Sequence, residues 1–338
     1  MYLLSIESSC DETSAAVVEM SADTRRILSN RIASSLEIHK RFGGVVPEIA
    51  SRAHAEAVSA LTYDALAESH MAMEQIDAVA VTAFPGLIGA LMVGVNFAKS
   101  LAFAYQKPLI PVNHVFGHVA ANYLAYPDLK PPFVALIVSG GHTSLVYFSS
   151  YTEVTVLGRT RDDAAGEAFD KVGRVMGVPY PGGAEIDRMA SLGDPDFLKL
   201  PSAALRPDGE NGMLDFSFSG LKTAVINYLN TAAMKHLPFQ TEDIAASFTR
   251  TVTESLVHHV NTALKRTNCP RIVLAGGVAA NSHLRAALSH FAVKQKAELF
   301  LPPRALCGDN AAMIGAQGYY EFLAGTTASL SLTARAAL

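Results

Sequence analysis

The chain has no tryptophan, only three cysteines among its 338 residues, and only 17% charged residues. Cys10, Cys269 and Cys307 are odd in number and have no CxxC spacing, which argues against a disulfide framework and suits a reducing cytoplasm. A membrane span is missing as well, because the longest apolar stretch, Leu87 to Tyr105, is interrupted by Asn96 and Lys99. The opening residues Met1 to Glu7 carry no basic region, so they read as a first β-strand and not as a signal or transit peptide. There is no acidic or basic tail and no low-complexity tract, while half the residues are hydrophobic; this is the composition of a compact globular enzyme. The expectation is a cytoplasmic protein with no membrane partner. The net charge of −4 withholds the global basic footprint of nucleic-acid binding. One local exception stands out: Arg25, Arg26, Arg31, Lys40, Arg41 and Arg52 face only Glu37 and Glu48 over that segment, either as phosphate contacts or as ordinary solvated surface.

The length fits two domains of roughly 150 residues each. Tyr2 to Ile6 reads as a buried strand, Glu7 to Glu12 as a polar turn, and Ala15 to Val18 as a returning strand. The plan recurs with strand Phe133 to Val138, turn Ser139-Gly140-Gly141-His142 and strand Thr143 to Phe148. After each hairpin, helical and strand patterns alternate, which implies two α/β lobes of related topology with a cleft between them. The expected division is 1–130 for the first lobe, 131–308 for the second, and 309–338 for a terminal helix packing back toward the first. Asp77 to Thr82 and Leu109 to Val112 read as strands, with helices over Leu87 to Tyr105 and from His114 to about Tyr126. In the second half Thr241 is the expected N-cap of a long amphipathic helix. Strands follow at Arg271 to Leu274 and Glu298 to Leu301, and Asp309 is expected to open a last helix.

His114 and His118 are four residues apart, so on a helix their rings lie on one face at the spacing a transition metal needs. A zinc peptidase of the HExxH kind places a glutamate directly after the first histidine, and here that position is Val115. Metal binding fits this pattern and metalloprotease chemistry does not; the alternative is two histidines in accidental register. Because the pair opens a helix directly after a strand, it sits where ligands collect in open α/β sheets.

Glycine pairs follow strands at Gly140-Gly141 and Gly276-Gly277, and Gly182-Gly183 precedes a helix. Glycine lets the backbone approach a phosphate closely, although tight turns need glycine for conformational reasons alone. A phosphate hairpin in each lobe with a Gly-Gly helix start in the second is the plan of the actin, Hsp70 and sugar-kinase superfamily. The expected fold class is therefore α/β, an actin-like (ASKHA) duplicated two-lobe fold with an interdomain nucleotide cleft.

Longer motifs run through the chain in order: Glu7-Ser8-Ser9-Cys10-Asp11-Glu12-Thr13, Gly43-Gly44-Val45-Val46-Pro47-Glu48, Val138-Ser139-Gly140-Gly141-His142-Thr143, Asp162 to Lys171, Tyr180-Pro181-Gly182-Gly183, Phe216 to Lys222, Ala275-Gly276-Gly277-Val278 and Cys307-Gly308-Asp309-Asn310. With the histidine pair and Asn281 they closely resemble the TsaD family, formerly described as O-sialoglycoprotein endopeptidases, over nearly the whole chain. The resemblance implies a bacterial acyltransferase that moves a threonylcarbamoyl group from threonylcarbamoyl-adenylate to N6 of adenosine 37 in tRNAs reading ANN codons. It implies one divalent metal per subunit, Fe2+ or Zn2+, held by residues matching His114, His118 and Asp309. It also implies an adenine nucleotide, the adenylate itself or ATP or ADP, bound by residues matching Ile137, Val138, Ser139, Gly140, Gly141, Asp170, Gly183 and Asn281; Gly276 and Gly277 would border the adenosine. The implied partners are tRNA, a paralogous actin-like subunit (TsaB-like), an ATPase (TsaE-like) and a separate synthase that supplies the adenylate. Where many relatives have Gly-Pro-Gly, this chain has Phe84-Pro85-Gly86.

A mixed anhydride donor is already activated, so the expected catalysis is positioning, charge stabilisation and proton removal, without a protein nucleophile. Cys10 has no identified histidine partner to activate it. Asp11 and Glu12 in the first hairpin turn are candidates for the general base toward N6, or else simple turn formers. Asp170 is either an acceptor for ribose hydroxyls or a helix-surface carboxylate. The histidines from the front half and Asp309 from the far end are expected to clamp the ion across the cleft. The competing expectation is an ATPase or small-molecule kinase of the same superfamily, against which the two histidines argue, since such kinases hold Mg2+ with oxygen ligands.

Overall fold

A computed structural model describes residues 1–209 and 212–337, which divide into two compact units. The first unit combines 1–130 with the segment from Pro302 onward, and the second is Pro131–Leu301. In the first unit, strands β1 (Tyr2–Glu7), β2 (Glu12–Met20) and β3 (Arg25–Ser34) form an antiparallel meander. Helices α1 (Leu36–Lys40) and α2 (Pro47–Glu68) follow, the latter with proline at its first position, where a missing N–H costs nothing. Strand β4 (Ala78–Phe84), helix α3 (Ile88–Ala104), strand β5 (Leu109–Asn113) and helix α4 (His114–Ala125) complete this stretch. The sheet order is β3-β2-β1-β4-β5, with β1, β4 and β5 parallel. Strand β1 is central, which is why Leu3, Leu4 and Ile6 are all fully buried.

The second unit contains β6 (Phe133–Val138), β7 (Thr143–Phe148), β8 (Val154–Arg159), α5 (Ala165–Val175), α6 (Gly183–Ala190), α7 (Ser219–Lys235), α8 (Thr241–Thr267), β9 (Arg271–Ala275), α9 (Ser282–Gln295) and β10 (Glu298–Phe300). Its sheet order is β8-β7-β6-β9-β10, with the same sequence of antiparallel and parallel pairings as the first. The duplication expected from the two hairpins is thus one of strand order and direction. The chain then returns to the first unit with α10 (Ala311–Leu323).

Helix α10 seats directly on the first sheet because small residues leave it no standoff. A Cβ added at Gly315 would lie 2.6 Å from Val18 Cγ2 and 2.9 Å from Ser5 Oγ, and one at Gly318 would lie 2.8 Å from Ala80 Cβ. Two helix starts differ from expectation. Asn310, not Asp309, caps α10, its Oδ1 accepting from Met313 N at 3.0 Å. Gln240 flanks α8, while the Thr241 hydroxyl turns aside to donate to Glu242 Oε2 at 3.1 Å. Among the described residues no helix is long and apolar enough to cross a membrane.

Two buried histidines tie distant elements together as neutral imidazoles. His54 on α2 donates from Nε2 to the Cys10 carbonyl at 2.9 Å, so its Nδ1 accepts from the Thr13 hydroxyl at 2.7 Å. His259 on α8 donates from Nε2 to the Asp215 carbonyl at 3.0 Å. Burial is the main cause that pushes both below the ordinary value of 6.5. At these two rings the unfolded chain therefore binds protons that the folded one refuses, so their contribution to stability is complete above pH 6.5 and declines as pH falls below it. The difference in urea midpoint between the wild type and a His54→Asn, His259→Asn double variant should stay constant above neutrality and shift in the variant's favour on acidification below pH 6.5; a difference that does not change with pH would refute the assignment.

Candidate functional site

Asn113 ends β5 and caps α4, its Oδ1 accepting from Val115 N at 2.8 Å, so the helix begins at His114. One turn later comes His118, its ring centroid 4.7 Å from that of His114. Between them Gly117 lets α10 come close, since a Cβ there would lie 2.6 Å from Ile314 Cδ1. The approach brings Asp309, just ahead of α10, to both rings: its Oδ1 is 3.1 Å from His118 Nε2 and 3.5 Å from His114 Nε2. One ligand atom from each of the three side chains lies within 4.8 Å of the others. All three belong to the first unit, because the segment from Pro302 returns there. This corrects the expected clamp between lobes: the three side chains are brought together by helix packing inside one unit.

The donor set fits a divalent transition metal. His118 is 2% exposed, yet neither of its ring nitrogens has a hydrogen-bond partner, because Nε2 faces Asp309 at short range without hydrogen-bond alignment. Burying both nitrogens this way is costly unless a ligand satisfies one of them. Two imidazoles and a carboxylate are the ligand types that Zn2+ and Fe2+ accept, with positions left for substrate.

His114 is oriented from behind. Its Nδ1 donates to Glu7 Oε2 at 2.9 Å, and Ser9 Oγ lies 3.1 Å from the same nitrogen. Glu7, fully buried at the end of β1, also accepts from the Thr82 hydroxyl at 2.6 Å and from Ser9 N at 2.5 Å. Burial alone would raise the Glu7 carboxyl, but the charge of His114 and these hydrogen bonds outweigh it and hold it below the usual carboxylate value. For His114 the order is mirrored: burial opposes the charged ring, and Glu7 with Asp309 overcome it, lifting the imidazole to about 9. A carboxylate behind a ligating histidine fixes which nitrogen points at the metal. Sequence reading assigned no role to Glu7, Ser9 or Thr82; the one available signal was a glutamate closing an otherwise apolar strand.

Asp11 and Glu12 lie in and just after the β1–β2 turn. Burial first, then the neighbouring Asp11 and Asp309, push the Glu12 carboxyl up to about 9, and Ser34 Oγ donates to its Oε1 at 3.0 Å. Burial, with Asp11 and Asp309 adding to it, also raises the Cys10 thiol well above its ordinary value, which removes any thiolate nucleophile.

The second unit holds the remaining residues. Ile137 and Val138 are fully buried at the end of β6, leaving only backbone to face a ligand. Ser139 opens the hairpin turn, donating from its N–H to the His142 carbonyl at 2.7 Å, while Gly140 and Gly141 are exposed with open space where a Cβ would stand. Gly276 requires glycine: its φ is +93°, and a Cβ would lie 2.4 Å from the Val138 carbonyl oxygen. This contact places the Gly276-Gly277 turn against the end of β6. Asn281 caps α9, its Oδ1 accepting from Leu284 N at 2.9 Å. Asp170 on α5 accepts from Gly182 N at 2.8 Å and also from Gly183 N, which locates the start of α6; burial raises its carboxyl above the ordinary value. Asp187 on α6 accepts from Ser282 N at 3.0 Å and from His283 Nδ1 at 2.9 Å, joining α6 to the start of α9.

The sequence model of one family, TsaD (tRNA N6-adenosine threonylcarbamoyltransferase), matches residues 26–316. The chain is 52% identical over 332 residues to the tRNA N6-adenosine threonylcarbamoyltransferase of Clostridium novyi (strain NT), covering 98% of this chain and 96% of that one. The enzyme of the same name from Clostridium kluyveri is also 52% identical, over 334 residues, 99% of this chain and 96% of the relative. Among solved structures, full-length HypF superposes with a TM-score of 0.63 at 14% identity, over 95% of this chain and 46% of HypF. Component A of the Acidaminococcus fermentans (R)-2-hydroxyglutaryl-CoA dehydratase gives 0.53 at 14% identity, over 96% and 99%. These two show the fold alone, which is the actin-like α/β class. A match that spans most of the chain, with relatives half identical from end to end, establishes that this chain belongs to the TsaD family of tRNA N6-adenosine threonylcarbamoyltransferases.

Proposed function

We propose that this chain transfers a threonylcarbamoyl group to N6 of an adenosine in tRNA, with threonylcarbamoyl-adenylate as donor and adenosine 37 of tRNAs reading ANN codons as acceptor. Family membership carries the reaction, and the buried His118 whose two ring nitrogens lack hydrogen-bond partners carries the metal dependence. His114, His118 and Asp309 would hold the ion, either Fe2+ or Zn2+. When bound, it supplies a Lewis acid and a template for oxygen ligands. A kinase reading is not favoured, since two imidazoles suit Mg2+ poorly.

The chain's own residues perform the rest. Glu7 keeps the His114 Nδ1 proton, so the ring's Nε2 is the ligating atom. Exposed backbone at Gly140 and Gly141 offers N–H groups to the phosphate of the leaving AMP. Asp170 retains acceptor capacity for ribose hydroxyls, and Gly183, Gly276, Gly277 and the amide of Asn281 border the nucleoside. Asp11 is the general base toward N6. Burial and the neighbouring Asp11 and Asp309 push Glu12 up to about 9, which makes it the less suited of the two as a base.

The acceptor tRNA needs cations. Arg25 is not among those available: its Nη1 donates to the Leu129 carbonyl at 3.3 Å, and its guanidinium lies 5.8 Å from the centroids of both Tyr123 and Tyr320. Arg26 pairs with Glu19 at 3.3 Å, Arg31 with Glu68 at 2.8 Å and Lys40 with Glu37 at 2.6 Å. Arg41 and Arg52, both exposed, remain as the phosphate contacts of this segment. A TsaB-like subunit, a TsaE-like ATPase and a separate adenylate synthase complete the proposed set of partners, on the strength of the family resemblance, in the cytoplasm.

Metal analysis and transfer of labelled threonine into tRNA should fail together in His118→Ala, with the transfer rate falling at least about a hundredfold; full activity in protein stripped of metal would refute the metal assignment. Asp11→Asn should cut kcat by about 10^2 to 10^4, whereas Glu12→Gln, which only replaces one neutral acceptor and donor by another, should cost far less; equal losses would reassign the base. Reversing Arg41 and Arg52 to glutamate should weaken tRNA binding and lower the salt slope by about one per contact, and an unchanged slope would remove both from the interface.

A further inference from the structure

Two sequence motifs, the Asp162–Lys171 stretch, of which only Asp170 has been given a role, and the Phe216–Lys222 stretch, meet inside the second unit. Helix α7 has no side-chain cap of its own. Asp162 supplies one from a distance: its Oδ1 accepts from Phe218 N at 2.8 Å and from Ser219 N at 3.2 Å, and its Oδ2 accepts from the Ser217 hydroxyl at 2.5 Å. The next residue, Asp163, takes a lysine on each oxygen, Lys171 of α5 on Oδ1 and Lys222 of α7 on Oδ2, both at 2.8 Å. Asp163 is 14% exposed and Lys222 21%, so this is a half-buried ionic knot in which the lysines hold the carboxyl below its ordinary value against the opposing effect of burial.

The knot lies at the start of α5, and α5 is what seats the nucleotide turn. Ala165 N donates to Thr143 Oγ1 at 2.9 Å and Gly166 N to the Ser139 carbonyl at 3.2 Å. There is no slack in that contact, because a Cβ at Gly166 would lie 2.6 Å from the Ser139 carbonyl oxygen and 2.9 Å from Gly140 Cα. One turn further along the same helix, Asp170 fixes the Gly182-Gly183 turn. A small rotation of α5 would therefore move the phosphate hairpin and the ribose acceptor together.

We infer that Asp163 and Lys222 are positioning residues for adenylate recognition, seating α5 through the charge knot with α7 and so setting nucleotide affinity without touching the nucleotide. The inference rests on the reading that the second unit binds the adenylate. It also joins the two motifs in one shared task.

The test is titration of the full-length protein with AMP by calorimetry, alongside its melting temperature, for the wild type and for Asp163→Asn, Lys222→Met, Lys222→Arg and the Asp163→Asn, Lys222→Met pair. Both single neutralisations should weaken AMP binding at least tenfold, the pair should be no worse than either alone, and Lys222→Arg should restore most of the affinity. A lowered melting temperature with wild-type AMP affinity in the neutralised variants would overturn the inference and leave the knot purely structural. Should Asp163→Asn fail to fold, the contrast between Lys222→Met and Lys222→Arg decides alone, and equal affinities there would overturn it. Wild-type protein that does not bind AMP at all would instead refute the adenylate reading, and this inference with it.

Discussion

A carboxylate with no exposed surface at the end of the central strand is the constraint around which the first unit is arranged. Glu7 accepts from Ser9 N, the Thr82 hydroxyl and His114, so it joins β1, β4 and α4 at one point. Leaving such a charge buried without these donors would cost about 3 to 5 kcal/mol, so the same contacts that make the group tolerable also dictate the pose of the His114 imidazole. Stability and the pose of the His114 ring are here one set of hydrogen bonds. The turn following Glu7 then places Asp11 and Glu12 where Asp309 is felt electrostatically.

The other half of the arrangement is steric. Gly315 and Gly318 let α10 lie flat on the sheet, and Gly117 lets α4 meet it, so a carboxylate far along the chain arrives beside two histidines without any long side chain reaching for it. The second unit repeats the strand plan, with its glycine turns after β6 and β9, whereas the His114, His118 and Asp309 cluster of the first unit forms after β5 and ahead of α10. The two copies thus carry their distinctive residues at different points of one plan.

Sequence patterns revealed much of this and missed the rest for identifiable reasons. The limits of β6 and β7 were legible because each is a short β-branched or aromatic run bounded by the glycine turn. Strand β3 was hidden: its arginines read as a charged patch, whereas they decorate an edge strand, where charges are what an exposed edge requires. The histidine pair was visible from its spacing alone, but Asp309 entered only through resemblance, since nothing local marks a residue as meeting partners so far away in sequence. Glu7 was beyond reach for the same reason, its contact with His114 spanning 107 positions. Arg25 shows the converse error, a cation counted as surface that in fact lies beside Tyr123 and Tyr320.

The return of the segment from Pro302 to the first unit has a consequence for biosynthesis. Both histidines emerge from the ribosome before any of the second unit, whereas Asp309 follows only after all of it has been made. A nascent chain therefore carries the two imidazoles without their carboxylate neighbour throughout the translation of its middle half, and premature termination anywhere in that stretch yields a product unable to assemble the three-residue cluster.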